Sequence, residues 1–500
     1  MNPTNARRAR SLCVVLAASG AACTLLRVPP PPPPATTNDR GYITRAVLAT
    51  DIDSMFAMIE RVHPNPYTVV TRDSVRRARD AIVAALPDSA TSLTAWSSYA
   101  RLVALIGDGH TSVQMPGQEI NRFLGRGGQI FPTRTTATSG GALTVTAYRF
   151  GDTLLRRGDE LVSVNERPVD SLLRVFATEI GGETERWREA VAAQQFESFL
   201  LLNDVRPPFT AQVRSSGDAT PRRLSVRAIG RDSLVAASLR ASATAAARSP
   251  SGNVTYRLLP GGVAYTNLMS LSGEIAKFRD DLDGMFRRMQ SDSARTLIVD
   301  LRSNGGGDTR LGDELLSHIT TQPYRMSSAK LWKMSDEYRS YVKSWVRAPF
   351  NHLPVEKAFP TGRRLFSGPA GKIVRLDESP EAHAAREPRF DGPVCVLIGA
   401  GTFSSAVDLS DAIKTYRLAT LIGEETGGRA NSFGEVYYFR TRATDYLVTV
   451  SSAQFVRASG DTTDHRGVVP DIEVHQSADD LRAGRDPVVE RARECPSRAP

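Results

Sequence analysis

From about Val47 to Ile106 apolar residues return every three or four positions, with Ile52, Met55, Phe56 and Ile59 on one face before the break HPNPY at 63–67. That period predicts helices, with further ones over about Ser74–Leu86 and Ser92–Ile106, and the run closes in the loop GDGHTS at 107–112. From Gln118 to about Ala228 the pattern turns strand-like, punctuated by the turn signals GRGG and SGG. An Ala- and Ser-rich stretch over about Asp232–Ser251 reads as a helix or linker. Beyond Val254 strands and helices alternate: Val263–Leu268 and Thr296–Leu301 are predicted strands around a helix at Gly273–Met289. The unbroken apolar run Val394–Ile398 suits a buried strand, and Ala406, Leu409, Ile413 and Tyr416 after it share one helical face. The long polar section 322–390 reads as a surface insertion and a candidate flap over a site.

The predicted fold is α/β. It comprises an N-terminal helical domain at 47–116, a β-rich domain at 117–230, and a core at 250–478 that carries the insertion 322–390 and is followed by a tail at 479–500.

Composition sets the class. Five hundred residues, 41% hydrophobic and 23% charged, describe an ordinary globular chain with room for roughly two to four domains. Residues 1–22 read as a signal peptide, with Arg7, Arg8 and Arg10 before a short apolar stretch from Leu12 to about Ala18. Ser19 to Cys23 resembles a lipoprotein processing site, with Gly20 where a larger aliphatic is usual; Cys23 is then the candidate acylated residue and membrane tether. Ordinary cleavage and release to the periplasm is the alternative. A Pro-rich tether at 23–46, with Pro29 to Pro34 in one run, would form a stiff polyproline spacer. The expected location is therefore exported, periplasmic or at the cell envelope.

The formal net charge of +9 includes the three leader arginines, and the remaining basic residues are dispersed among acids. No nucleic-acid partner is expected. Beyond Cys13 and Cys23 the chain has Cys395, in the buried-strand pattern, and Cys495, so no disulfide framework is expected.

Three segments could carry chemistry. In GAGTFSSAVDL, 399–409, two serines stand where a strand gives way to a helix, a position that suits an N-cap and also a nucleophile beside a positive helix end. In LIVDLRSNGGGD, 297–308, three glycines follow an apolar strand, as a tight turn or as an anion-binding cradle. Asp300 and Arg302 are expected to brace that turn by an ion pair. A serine needs a base. Of seven histidines His110 stands out on the turn GDGHTS, with His465 in TTDHRG as its rival. The spacings GxGxxG, GxxxxGK[ST] and HExxH are missing, and no metal or cofactor is expected.

The segments GDGHTS, LIVDLRSNGGGD and GTFSSA, followed by GEETGG at 423–428 and HRGVVPDIEV at 465–474, together resemble the C-terminal processing, or tail-specific, serine peptidase family. The resemblance spans most of 47–492 and implies a crotonase-like catalytic core acting on polypeptides. Separately, GDELVSVNERPV, 158–169, resembles the strand and turn of a PDZ-type peptide-binding domain, with a plain β-hairpin as the alternative. The family resemblance places the nucleophile at Ser404, with amides of Ser405 and Gly306 as the oxyanion hole and Ser405 also capping the helix. One branch of the family uses a lysine about 25 residues after the serine. Arg429 stands there, an arginine stays protonated, and Lys414 is the only lysine beyond Ser404. The other branch resembles the tricorn core, with a histidine base, and matches His110. There Asp464 falls where a glutamate orients the histidine, and Gly109 stands where a serine precedes it; both are departures. A non-catalytic carrier of hydrophobic ligands or peptides on the same fold is the alternative function. The sequence does not state the oligomeric state.

Overall fold

A computed structural model of the chain describes residues 41–150, 154–248, 254–344 and 360–496. The leader 1–22, Cys23 and the proline run lie outside the described residues. The N-terminal part is helical, as its apolar period requires: α1 (Arg45–Val62), α2 (Arg72–Ala85) and α3 (Ser92–Ala104). Thr71 and Thr91 cap α2 and α3, their side chains accepting the amides of Ser74 and Thr94. α1 stops at His63, which adopts extended backbone because Pro64 disfavours the helical region for the residue before it. After the loop 107–112 comes a two-residue strand, β1 (Ser112–Val113).

The next unit is an antiparallel sheet of β2 (Thr133–Ala137), β3 (Leu143–Tyr148), β4 (Glu160–Val164), β5 (Phe209–Arg214) and β6 (Arg222–Val226), in that spatial order. The strand-like reading of this region missed α4 (Val169–Ala177) and α5 (Glu185–Gln194), which lie between β4 and β5. Val169, Leu172 and Phe176 are buried at helical spacing, in a window too short for the period to dominate. The boundary at 116/117 divides the sequence without dividing the core. Ile52, Trp96 and Tyr99 pack in one cluster with Phe131, Phe176 and Phe199, and with Tyr446 and Val448 from far along the chain.

From residue 257 the chain builds β7 (Arg257–Leu259), β8 (Val263–Asn267), α6 (Ile275–Ser291), β9 (Thr296–Asp300), α7 (Thr309–Leu316), β10 (Ser327–Lys333), β11 (Ile373–Asp377), β12 (Val394–Ile398) and α8 (Ser405–Tyr416). β13 (Thr420–Gly423), β14 (Ser432–Arg440), β15 (Leu447–Arg457), β16 (Ile472–Glu473) and α9 (Pro487–Ala492) follow. The first sheet runs β7-β8-β9-β12-β13-β16, with β7 antiparallel and the others parallel. Leu282 of α6, Leu311 of α7 and Leu409 of α8 bury one face against Leu297, Val299 and Val396, while Val488 and Ala492 of α9 cover Ile298, Cys395 and Leu397 on the other. Parallel strands buried on both sides read as continuous apolar runs, and the crevice beyond their carboxyl ends is where such sheets hold ligands.

The second sheet, β11-β10-β15-β14, corrects the reading of 322–390 as surface decoration, because β10 and β11 are two of its strands. β1 also pairs with β15, Val113 opposite Val448 and Ser112 opposite Thr449, which brings the loop 107–112 to the core. Contrary to the cysteine expectation, Cys395 and Cys495 form a disulfide, with Cα atoms 5.9 Å apart. The link is possible because α9 lays the chain end against the face of β12. Among the described residues no helix is long and apolar enough to cross a membrane.

Candidate active site

β12 ends at Ile398, and the turn 399–403 delivers Ser404 to the start of α8. Ser404 has φ 56° and ψ −133°, a region that a residue with a Cβ enters at a cost of about 1–3 kcal/mol. Its side chain caps nothing: Oγ lies 3.0 Å from His110 Nε2. The expected cap at Ser405 does not form either, since its hydroxyl donates to the Gly307 carbonyl at 2.9 Å. The helix start is instead sewn to the glycine turn. Among the described residues the Ser405 amide makes no hydrogen bond, and it stands at the positive end of α8.

Gly306 differs from its expected role as the second donor. Its amide donates to Asn304 Oδ1 at 2.9 Å, and Asn304 is itself buried and held by the Leu268 carbonyl at 2.8 Å. Gly306 matters sterically: at φ +91° a Cβ there would fall 2.6 Å from Ser404 Cβ and 2.8 Å from the Ser405 amide nitrogen. The predicted brace is present, with Arg302 forking onto Asp300 and also onto Asp486.

His110 is held by a loop built around Asp108. That buried carboxylate accepts the His110 amide at 2.8 Å, the Thr111 hydroxyl at 2.5 Å and the Ser451 hydroxyl at 2.6 Å, and His63 Nε2 lies 3.2 Å away. Burial alone would raise its pKa, but hydrogen bonds and charge from His110 and His63 hold it well below the usual carboxylate range. His110 Nδ1 is 3.8 Å from Asp108 Oδ1, too far to bond, and has no partner. Phe403 lines the other side of the ring, centroids 4.8 Å apart, and Trp187 of α5 stacks on Phe403 at 4.0 Å.

Glu183, just before α5, is 8% exposed, and neither of its carboxylate oxygens has a hydrogen-bond partner of ordinary geometry. It reaches the loop because Gly181 abuts Asp108: a Cβ at Gly181 would meet the Asp108 carbonyl at 2.6 Å. Burial and the nearby Asp108 charge push Glu183 up to about 7, with His110 and the Gly109 amide offsetting part of the rise. Burial lowers the His110 pKa, but Asp108, Glu183 and Asp408 more than reverse this and leave it above 6.5. Asp408, on the first turn of α8, is pushed up to about 7 by burial, with Lys330 opposing and Asp411 reinforcing the shift.

Asp464 does not meet His110. It pairs with Arg457, whose guanidinium also clasps Asp411, and it accepts the Arg466 amide at 3.0 Å. Arg457, at the end of β15, thus draws the carboxylate expected to orient the base into a separate ion-pair cluster. Lys414 pairs with Asp471, and the half-buried Lys330 pairs with Glu378 at 2.9 Å and stays charged, so neither supplies a base to Ser404. His63 and His318 are committed to Asp108 and to the Pro388 carbonyl, and His475 to Glu424 and Glu473. His383 stacks on Tyr324.

Asp108, His110 and Glu183 offer one ligand-type atom each within 4.8 Å of one another. The Asp108 oxygens are already occupied by hydrogen bonds and His110 Nε2 faces Ser404, so the grouping suits charge compensation better than a metal. Asp108, Glu183 and Trp187 were not singled out from sequence. The double glycine of GGETERW, 181–187, was the available sign of close backbone approach.

The family model described as Peptidase family S41 matches residues 262–474. Among solved structures, mature CPAF complexed with lactacystin is similar at 16% identity and TM-score 0.61, over 88% of this chain and 95% of that one. Mature CPAF alone gives 17% identity and TM-score 0.60, over 88% and 94%. The photosystem II D1 C-terminal processing protease is similar at 14% identity and TM-score 0.40, over 85% and 93%. No curated protein matches the chain.

Proposed function

We propose that this chain, whose residues 262–474 match the model described as Peptidase family S41, is a serine-type peptidase acting on polypeptides, with Ser404 as nucleophile and His110 as general base. The observation that carries this reading is the 3.0 Å separation of His110 Nε2 and Ser404 Oγ, between residues 294 positions apart. Nε2 takes the hydroxyl proton as Oγ attacks the scissile carbonyl, and later returns it to the leaving amine. The free Ser405 amide at the start of α8 receives the developing oxyanion, with the Gly306 backbone closing the other side.

Export to an oxidising compartment at the cell envelope completes the reading. It is supported by the basic and apolar leader and by the Cys395–Cys495 disulfide, a bond that persists outside reducing cytosol.

A fluorophosphonate probe tests the chemistry. Labelling at Ser404, located by peptide mass spectrometry and lost in folded Ser404→Ala and His110→Ala, is the expected result. A folded wild-type protein that takes no label would favour a carrier on this fold.

A further inference from the structure

We infer that Glu183, contributed by the β-rich unit, is the carboxylate that orients His110 and balances its charge. The inference rests on the reading of His110 as base.

Three observations converge. First, a histidine that accepts a serine proton at Nε2 must keep its ring proton on Nδ1, and a partner at Nδ1 fixes that tautomer. His110 Nδ1 is buried and has no partner. Second, the nearer carboxylate is already used. Asp108 Oδ1 accepts the His110 amide and Oδ2 accepts the hydroxyls of Thr111 and Ser451, so Asp108 shapes the loop and is too distant from Nδ1, at 3.8 Å, to bond it. Third, Glu183 is a buried acid whose two oxygens lack partners, and it lies within 4.8 Å of the His110 and Asp108 ligand atoms. One bridging water or a small side-chain rotation closes such a gap.

A buried carboxylate without a well-formed hydrogen bond is costly to fold around, and its position near His110, whose Nδ1 is unsatisfied, gives that cost a use. The other charged groups around it are Asp108, Asp408 on α8 and Arg429. When Ser404 gives its proton to Nε2, the imidazolium that forms faces the Glu183 carboxylate across Nδ1–H. Glu183 itself takes no proton from the ring. It is a positioning residue.

The placement of Glu183 has a structural reason. Gly181 lets the segment before α5 press against the loop 107–112, Gly182 makes room for the Trp187 ring, and Thr184 caps α5 by accepting the Trp187 amide at 3.1 Å. The Thr184 hydroxyl also donates to the Gly427 carbonyl, so one short stretch ties Glu183 to the catalytic core.

The test compares wild type with Glu183→Gln and Glu183→Asp, using the rate of fluorophosphonate labelling from pH 5 to 9 and the ring titration of His110 by nitrogen NMR in a Ser404→Ala background. Glu183→Gln is expected to slow labelling by about 100-fold or more at neutral pH while keeping the circular dichroism of the folded protein, and Glu183→Asp to recover part of the rate. The His110 titration midpoint is expected to move to lower pH in Glu183→Gln, because a neighbouring negative charge is removed. Labelling within threefold of wild type, or the same loss appearing in Asp464→Asn instead, would overturn the inference. Should wild type fail to label at all, the peptidase reading fails by itself, and the NMR midpoint still decides whether Glu183 acts on His110.

Discussion

Trp187 lies flat on Phe403, ring centroids 4.0 Å apart with 16° between planes, so a helix of the β-rich unit supports the residue immediately before Ser404. Phe403 also packs against the His110 ring, and its position therefore affects both members of the pair. Such stacking contributes about 0.5–1.5 kcal/mol beyond area burial. Trp187→Ala is expected to lower the labelling rate of Ser404 about tenfold, with Trp187→Phe much closer to wild type. Rates and melting curves measured together separate misplacement from unfolding.

The pH profile follows from His110. In the proposed mechanism His110 works only when neutral, and its surroundings hold its pKa above 6.5. Labelling should rise with pH through a midpoint higher than 6.5 and then level off. A midpoint lower than that would mean the Asp108 and Glu183 charges do not act on the ring.

Glu183 should also leave a mark on stability. Its pKa is about 7 in the folded protein against an ordinary 4.5, so between those values the folded state binds the extra proton and stability falls as pH rises. Glutamine does not titrate. The melting temperature of Glu183→Gln relative to wild type should therefore increase from pH 5 to pH 8, by on the order of a few degrees. Calorimetry showing the same difference at both pH values would contradict the burial of a charge there.

The Gly306 backbone leaves no space for a side chain. A Cβ would meet Ser404 and the Ser405 amide at 2.6 and 2.8 Å, in a backbone conformation already at φ +91°. Gly306→Ala is expected to reduce labelling by about 100-fold or more, because the added Cβ displaces Ser404 and the Ser405 amide, the group proposed as oxyanion donor. Its circular dichroism should remain that of a folded protein.

Cys395 and Cys495 close a chain separation of 100 residues, and native links of this kind typically stabilise by about 2–4 kcal/mol. Cys495→Ser should lower the denaturant midpoint accordingly. Mass spectrometry of the unreduced protein should recover the two cysteines in one linked peptide.

What could be read in the sequence was what a local pattern encodes. Val394–Ile398 is a strand over the range predicted, and the turns marked His110 and the pair Ser404 and Ser405, with the family resemblance choosing Ser404 between the serines. The groups around them depend on contacts between distant segments. Glu183 reaches His110 from the segment just before α5, a helix that the alternation reading overlooked, and Asp464 is claimed by Arg457, a partner that no local spacing reveals. Ser405 shows the same limit: a serine at a helix start reads as a cap, but its hydroxyl is taken by Gly307, nearly a hundred residues earlier. The cysteine pair was misjudged for the same reason, because only the packing of α9 on β12 makes the two thiols neighbours.

The pairing of Ser112 and Val113 with β15 means that the histidine waits for the C-terminal half of the chain before its loop has a sheet to join. A ribosome releases His110 long before Ser404, and Ser404 before the strand that anchors His110. A partly made or unfolded chain thus holds no Ser404–His110 contact, which forms only when the two halves close on each other. The order of synthesis itself keeps the proposed chemistry unassembled until β15 has been made.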